Sequence, residues 1–208
     1  MNVTVNTKRM RIMIGALGML LPWLVALITL SWPQSVSITY YSILAVGAFM
    51  TVLGSAGILL INYRGYDRLD DIISTIAGAC GIMICLCPMG VPDDSSPITG
   101  AFRLPSNISN FLHCASAAGF FGLLAFMSFF LFTKTGVKAV TKQKKIKNII
   151  YRVCGVGMLA SFIMLLIPTP HMTWIVEAIA LFFFGVSWIV KSDALPFLSD
   201  RNRITKSE

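Results

Sequence analysis

Two residues, His113 and Glu177, place ionisable side chains inside otherwise apolar runs of this sequence. Such groups are costly in a hydrocarbon setting and face protein or water, so they are the first places to look for chemistry. Counted from the ends of their runs, both lie roughly 5 to 8 Å below the same boundary at 1.5 Å of rise per residue. An imidazole and a carboxylate in contact would lower each other's desolvation cost, as an ion pair or as neutral partners. Around that depth also fall Tyr40, Tyr41, Ser116 and Trp174. Two readings stay open: a polar clasp between two helices, or an outward-facing polar pocket lined by these six residues.

Ser116 follows His113 by three residues, and with Glu177 the trio resembles a Ser, His, acid arrangement. The rest of that template is missing. There is no G-x-S-x-G elbow and no evident oxyanion donor, and a serine in a membrane helix usually bonds its own backbone. A metal site would have to draw on His113, His171 and Glu177, but His171 and Glu177 are six residues apart and would not share a helical face. Neither a metal nor a cofactor is expected, and no catalytic residue is assigned.

These side chains need elements to hold them. Of the 208 residues 56% are hydrophobic and 12% charged, with a mean hydropathy of +0.76. That is more apolar surface than a soluble core of this size would hide. The apolar runs cover about 12–32, 40–61, 72–91, 111–132, 149–167 and 172–190. Each is near the ~20 residues that a helix needs to cross about 30 Å of hydrocarbon. Barrel strands would be about ten residues long and alternating, which these runs are not. The expectation is one all-α domain over 1–208: an integral membrane bundle of six transmembrane helices. The first run is too long for a signal h-region and Ser31-Trp32-Pro33-Gln34 lacks a small-x-small cleavage pattern, so it counts as a helix.

Charge sets the orientation. Lys8, Arg9, Arg11, Arg64, Arg68, Lys134, Lys138, Lys142, Lys144, Lys145, Lys147, Arg152, Lys191, Arg201, Arg203 and Lys206 fall on one side of that topology, and Arg103 alone on the other. The positive-inside rule then puts both termini in the cytoplasm. The net charge of +8 follows from these membrane-flanking residues. With no nucleic-acid motif beside them, nucleic acid is not an expected partner. Membrane lipids are, with anionic headgroups near Lys142, Lys144, Lys145 and Lys147.

Smaller features add detail. Asp70 and Asp71 open the third run, where carboxylates would cap exposed N–H groups. No C-x-x-C pair occurs among Cys80, Cys85, Cys87, Cys114 and Cys154; a bond from Cys85 or Cys87 to Cys114 is one option and plain apolar packing the other. Small residues recur at Gly47, Thr51, Ser55 and at Cys114, Ala118, Gly122, a spacing that lets helices approach closely. The seam would lie within the bundle or, alternatively, between copies in a homo-oligomer.

A family pattern emerges from Ser37-Ile38-Thr39-Tyr40-Tyr41-Ser42, from Tyr63-Arg64-Gly65-Tyr66-Asp67, and from His113 with Ser116, Ala117, Ala118, Phe120 and Phe121. Tyr151-Arg152-Val153-Cys154-Gly155, and Glu177 with Gly185, Ser187, Trp188 and Lys191, complete it. The chain resembles small bacterial six-helix membrane proteins of unknown function and, more distantly, the eukaryotic DRAM, Frag and Sfk type. That resemblance implies a multi-pass protein of a bacterial inner membrane, with His113 at the family's helix-four histidine. The eukaryotic relatives are linked with lipid or GPI-anchor handling. Alkaline ceramidases use several zinc-binding histidines, and two histidines argue against membership there.

Three functions compete. The first is binding or handling of a lipid or other amphiphile in an outer-leaflet pocket. The second is a small proton- or cation-coupled transporter or channel, against which stand the few polar residues in the inner halves of the runs. The third is an assembly or effector protein acting by self-association.

Overall fold

The computed structural model describes residues 3–90, 98–134, 141–167 and 169–198. Val91, Lys138, Arg201, Arg203, Lys206 and positions 92–97 of the expected outer loop lie outside the described residues. The protein is all-α, with six principal helices among the described residues: α1 Val3–Thr29, α2 Val46–Ile61, α3 Arg68–Leu86, α4 Ser106–Phe126, α5 Lys142–Ser161 and α6 Met172–Lys191. A π-helical turn, Met127–Leu131, prolongs α4, and a 3-10 turn, Phe162–Leu166, prolongs α5. Strands β1 (Ile98–Thr99) and β2 (Leu104–Pro105) pair antiparallel in a small hairpin, Thr99 opposite Leu104. The hairpin turns at Gly100, whose φ of +76° favours glycine and where a Cβ would stand 2.6 Å from Pro88 and 2.7 Å from the Leu86 carbonyl.

Five of the helical segments are long and apolar enough to cross a membrane, and α2, at 16 residues, is a shorter apolar helix. Only 28–50% of the most apolar stretch of each of the five is buried within the protein. Leu20, Leu27, Ile58, Ile72, Phe111, Ile149 and Ile163 all point outward and are 54–70% exposed, as lipid-facing residues would be. This is the pattern of a multi-pass membrane protein.

Each helix packs on its neighbours in sequence, and α1 packs on α6, so the six close into a ring. Two glycine pairs set the closest approaches. A Cβ on Gly78 of α3 would stand 2.5 Å from the Gly57 carbonyl of α2, and one on Gly57 would stand 2.9 Å from the Gly78 carbonyl. Gly15 of α1 and Gly185 of α6 have the same reciprocal relation, at 2.8 and 2.6 Å. Dispersion then acts backbone to backbone, which is how helices associate without a hydrophobic drive. The middle of the ring is filled by Phe49, Phe120, Leu124, Met127, Phe184 and Trp188, all buried.

Several expected boundaries move. Tyr40 and Tyr41 do not begin α2; they lie on a separate 3-10 turn, Ser37–Tyr41, and α2 starts at Val46. The third helix starts at Arg68, so Asp70 and Asp71 stand inside its first turn and Asp67 is the N-cap, accepting from the Asp70 amide at 3.1 Å. Asp70 and Asp71 reach back instead to the amides of Tyr66 and Gly65, each at 2.8 Å. Gly65 leaves no room for a Cβ, because Asp70 Cβ would lie 2.2 Å from it. The five cysteines are all free.

The N-terminal part of α1, the α2–α3 turn, Lys134 after the π-helical turn and the C-terminus of α6 share one end of the ring, joined by Arg11 to Lys191, Lys134 to Asp67, and Tyr63 against Trp188. With Arg11, Lys134, Lys144, Lys147 and Lys191 gathered there, this is the basic end of the molecule.

Candidate functional site

The opposite end is organised by two irregular segments that helix side chains hold down. The first is 33–37, between α1 and α2. A helix N-terminus leaves amides without intrahelical partners, and α6 directs one of them outward: the Trp174 amide donates to the Gln34 carbonyl at 3.0 Å. Just before it, His171 Nδ1 lies 3.2 Å from the Pro33 carbonyl, which makes Nδ1 the protonated nitrogen. One turn further into α6, Glu177 accepts from Ser35 Oγ at 3.0 and 3.1 Å, from the Val36 amide at 2.6 Å and from Ser37 Oγ at 3.2 Å. Ser35 Oγ in turn accepts from the Ser37 amide at 3.0 Å. A carboxylate with two oxygens offers about four lone pairs, enough for this whole set.

The second segment is 87–90, after α3. Its captors stand at i, i+1 and i+4 on α4, hence on one face. Ser109 Oγ donates to the Pro88 carbonyl at 2.9 Å, Asn110 Oδ1 accepts from the Gly90 amide at 3.0 Å, and His113 Nδ1 meets the Cys87 carbonyl at 2.9 Å. The carbonyl acceptor places the His113 proton on Nδ1, so in the neutral ring Nε2 is an acceptor. Tyr41 Oη donates to the Met89 carbonyl at 2.8 Å, tying this segment to the 3-10 turn before α2.

Between the two clasped segments lies a cleft of about 450 Å³. That is within the range of ligand pockets, roughly 300–1,000 Å³. Its α4 wall is His113, Cys114, Ala117, Ala118, Phe121 and Gly122, its α5 side Leu159, Phe162 and Leu165, and its α6 side Thr173, Val176 and Glu177. The wall is apolar apart from the imidazole, the carboxylate, a hydroxyl and a thiol. Cys114, Leu159 and Leu165 on its rim are exposed, so the cleft opens to the outside of the ring between α4 and α5. It exists because α5 rests on the π-helical turn towards the basic end, where a Gly155 Cβ would meet the Ala125 carbonyl at 3.0 Å, and no such contact fills the space before Gly122. A small void of about 30 Å³ among Phe49, Phe120, Phe121 and Leu181 lies deeper and also touches Glu177.

The structure brings part of the expected constellation together. His113 and Glu177 share the cleft wall, but no hydrogen bond or ion pair between them occurs among the described residues. Tyr41 adjoins the cleft through Met89, and Tyr40 packs edge-on against Tyr41 at 5.4 Å. Trp174 turns the other way: its ring packs on Trp23 at 5.4 Å and Trp32 at 4.7 Å, against α1. Ser116 is also turned away. At 100° per residue the cleft face of α4 centres near Ala117 and Phe121, and Ser116 points about a third of a turn or more from it. The triad-like grouping of His113, Ser116 and Glu177 is therefore not formed.

The Cys114, Ala118, Gly122 stripe, expected as a packing seam, lines the cleft instead. Sequence reasoning missed Ser35, Val36, Ser109 and Asn110. For the α4 pair a signal existed, since Ser109, Asn110 and His113 are the polar residues of one face. For Ser35 it was weaker: a Ser-x-Ser ahead of a turn caps itself as readily as it holds a distant carboxylate.

Comparison with protein-family models, with curated proteins and with solved structures returns no match to this chain.

Proposed function

We propose that this protein binds or handles a lipid or other amphiphile in the cleft between α4, α5 and α6. One observation carries the reading: an apolar slot of about 450 Å³ opens sideways, where a bilayer would supply acyl chains, and holds a carboxylate and an imidazole in its wall. The chain of the ligand would lie along Ala118, Phe121, Gly122, Leu159 and Leu165, with its polar head near Thr173, Glu177 and His113. Amphiphile binding needs no catalytic set, and the separation of Ser116 from the cleft fits that.

The proposal includes six membrane spans with both termini in the cytoplasm of a bacterial cell, the basic end inside and the cleft at the outer leaflet of the inner membrane. Counting α2 as a span has a physical basis. Its 16 residues cover about 24 Å at 1.5 Å each, short of the ~30 Å of hydrocarbon, but the 3-10 turn before it adds length. Backbone bonds carry the chain through part of the join: the Ser42 amide donates to the Thr39 carbonyl, and the Ala45 and Val46 amides to the Ser42 carbonyl, which lowers the cost of holding this stretch in lipid. The charge asymmetry supports the orientation.

A phospholipid with a photoreactive group midway along one acyl chain tests this. Crosslinks concentrated on α4 between His113 and Gly122 and on α5 between Leu159 and Leu165 are expected. Crosslinks spread evenly over the exposed faces of α1, α3 and α5 would refute the cleft as a specific site.

A further inference from the structure

Three cations converge at the basic end, on the far side of the molecule from the cleft. Lys191 closes α6 and is only 8% exposed. Its ammonium stands 4.9 Å from the ring centre of Phe132 and 5.2 Å from that of Tyr66. Arg11 of α1 donates to the Lys191 carbonyl at 3.2 Å, and its guanidinium lies 5.5 Å over Tyr63. Lys144 of α5 donates to the Phe132 carbonyl at 3.0 Å and lies 5.7 Å from the Tyr151 ring. Arg11 and Lys144 are both near enough to repel the Lys191 charge, and Asp70 and Asp193 are the acids that oppose them.

Those acids are committed elsewhere. Asp70 pairs with Lys134 at 3.0 Å, Asp193 with Lys147, Asp67 with Lys134 at 2.8 Å and Asp71 with Arg64 at 3.8 Å. Among the described residues neither Arg11 nor Lys191 has an ion-pair partner, the Lys191 ammonium has no hydrogen-bond acceptor, and Arg11 Nε is buried without one. Aromatic faces stabilise a cation less than a counter-ion does, and a buried charge is costly until it is paired. A guanidinium fork beside two ammonium groups suits a tetrahedral oxyanion. The cluster is walled by the buried Tyr63, Phe132 and Tyr151, and on one side by Tyr66, which is 79% exposed and stands between Lys191 and solvent.

We propose that Arg11, Lys144 and Lys191 form a binding site for a phosphate group reaching the basic end past Tyr66, carried by an anionic phospholipid or as free phosphate. The site is independent of the cleft and uses none of its residues.

The test is native mass spectrometry of the full chain in neutral detergent, titrated with phosphatidylglycerol, with diacylglycerol of the same chains, and with inorganic phosphate. A saturable phosphatidylglycerol that depends on Arg11 and Lys191 is expected, besides any lipid held by the cleft, and diacylglycerol should not displace it. Affinity should fall about tenfold or more in Lys191→Met and in Arg11→Gln, the size of a lost charge-assisted hydrogen bond. The double variant Lys8→Gln, Arg9→Gln, which removes two exposed charges at the same end, should stay within about twofold of wild type. Displacement by inorganic phosphate would show that the phosphate alone is recognised; saturable lipid binding without displacement would show that the lipid is required. If Lys191→Met does not purify folded, Arg11→Gln carries the same comparison with the buried ammonium in place. Absence of saturable binding by either phosphate probe, or an equal loss in the Lys8, Arg9 variant, would overturn the proposal.

Discussion

Glu177 of α6 and Ser35 of the α1–α2 connection are 142 residues apart in sequence and joined by hydrogen bonds of 3.0 and 3.1 Å. With the Val36 amide and Ser37 Oγ on the same carboxylate, this contact fixes the irregular segment 33–37 onto the first turns of α6. The residue that borders the cleft is thus also the residue that shapes one of its ends.

Glu177→Ala removes the acceptor for three donors, so it should destabilise the protein by about 3 kcal/mol, whereas Glu177→Gln keeps one acceptor oxygen and should cost nearer 1 kcal/mol. Chemical unfolding in detergent reads the difference. Equal stability of wild type and Glu177→Ala would mean that the 33–37 segment is held by other contacts.

The glycine pairs should be far less tolerant than the cleft glycine. Gly78→Ala forces a Cβ to 2.5 Å from a backbone carbonyl and should cost about 2 kcal/mol, as overpacking does. Gly122→Ala enters open space and should leave the unfolding midpoint unchanged.

The contrast between these glycines marks where sequence reasoning stops. Six helices are legible because each apolar run is long enough, and the break before α2 is not, because Ser37 to Ser42 carries no proline or glycine to announce it. Cys114, Ala118 and Gly122 read correctly as a small-residue face. Whether such a face meets another backbone or an empty slot depends on how α5 leans, and that is fixed by Gly155 and the π-helical turn, residues remote from the stripe. Gly15 and Gly57 have no small residue four positions away, so their reciprocal contacts with Gly185 and Gly78 emerge only when two helices are laid together. His113 and Glu177 were legible as costly groups at a common depth. Their actual partners, a carbonyl of 87–90 and the hydroxyls of 35 and 37, were not, because any loop serine or carbonyl satisfies the same chemistry.

The Asp67–Lys134 pair gives a pH dependence with a defined sign. The Lys134 ammonium holds the Asp67 carboxyl below its ordinary 3.8, and that carboxylate raises Lys134 above its ordinary 10.5. The carboxylate's contribution is complete above pH 3.8 and is lost as pH falls through the lower folded-state value. The lysine's is complete below pH 10.5 and is lost as pH rises through the higher one. Lys134→Met should therefore narrow the difference in stability between pH 7 and pH 3. An unchanged acid limb would show that the pair is not formed.

Cysteine placement tests the orientation. In a cysteine-free background, Phe102→Cys in the β1–β2 hairpin should react with a membrane-impermeant maleimide on intact cells, and Lys145→Cys only after permeabilisation. Labelling of both without permeabilisation, or the reverse order, would contradict six spans with the basic end inside.

Amphiphile binding in the cleft is decided by what stays bound to the purified protein. Native mass spectrometry of wild type and Gly122→Leu, prepared identically in mild detergent, compares an open cleft with one that a leucine side chain fills. A discrete amphiphile is expected on the wild type and should be lost from Gly122→Leu, with both proteins folded. The same adduct at the same occupancy on both, or none on either, would contradict amphiphile binding in the cleft.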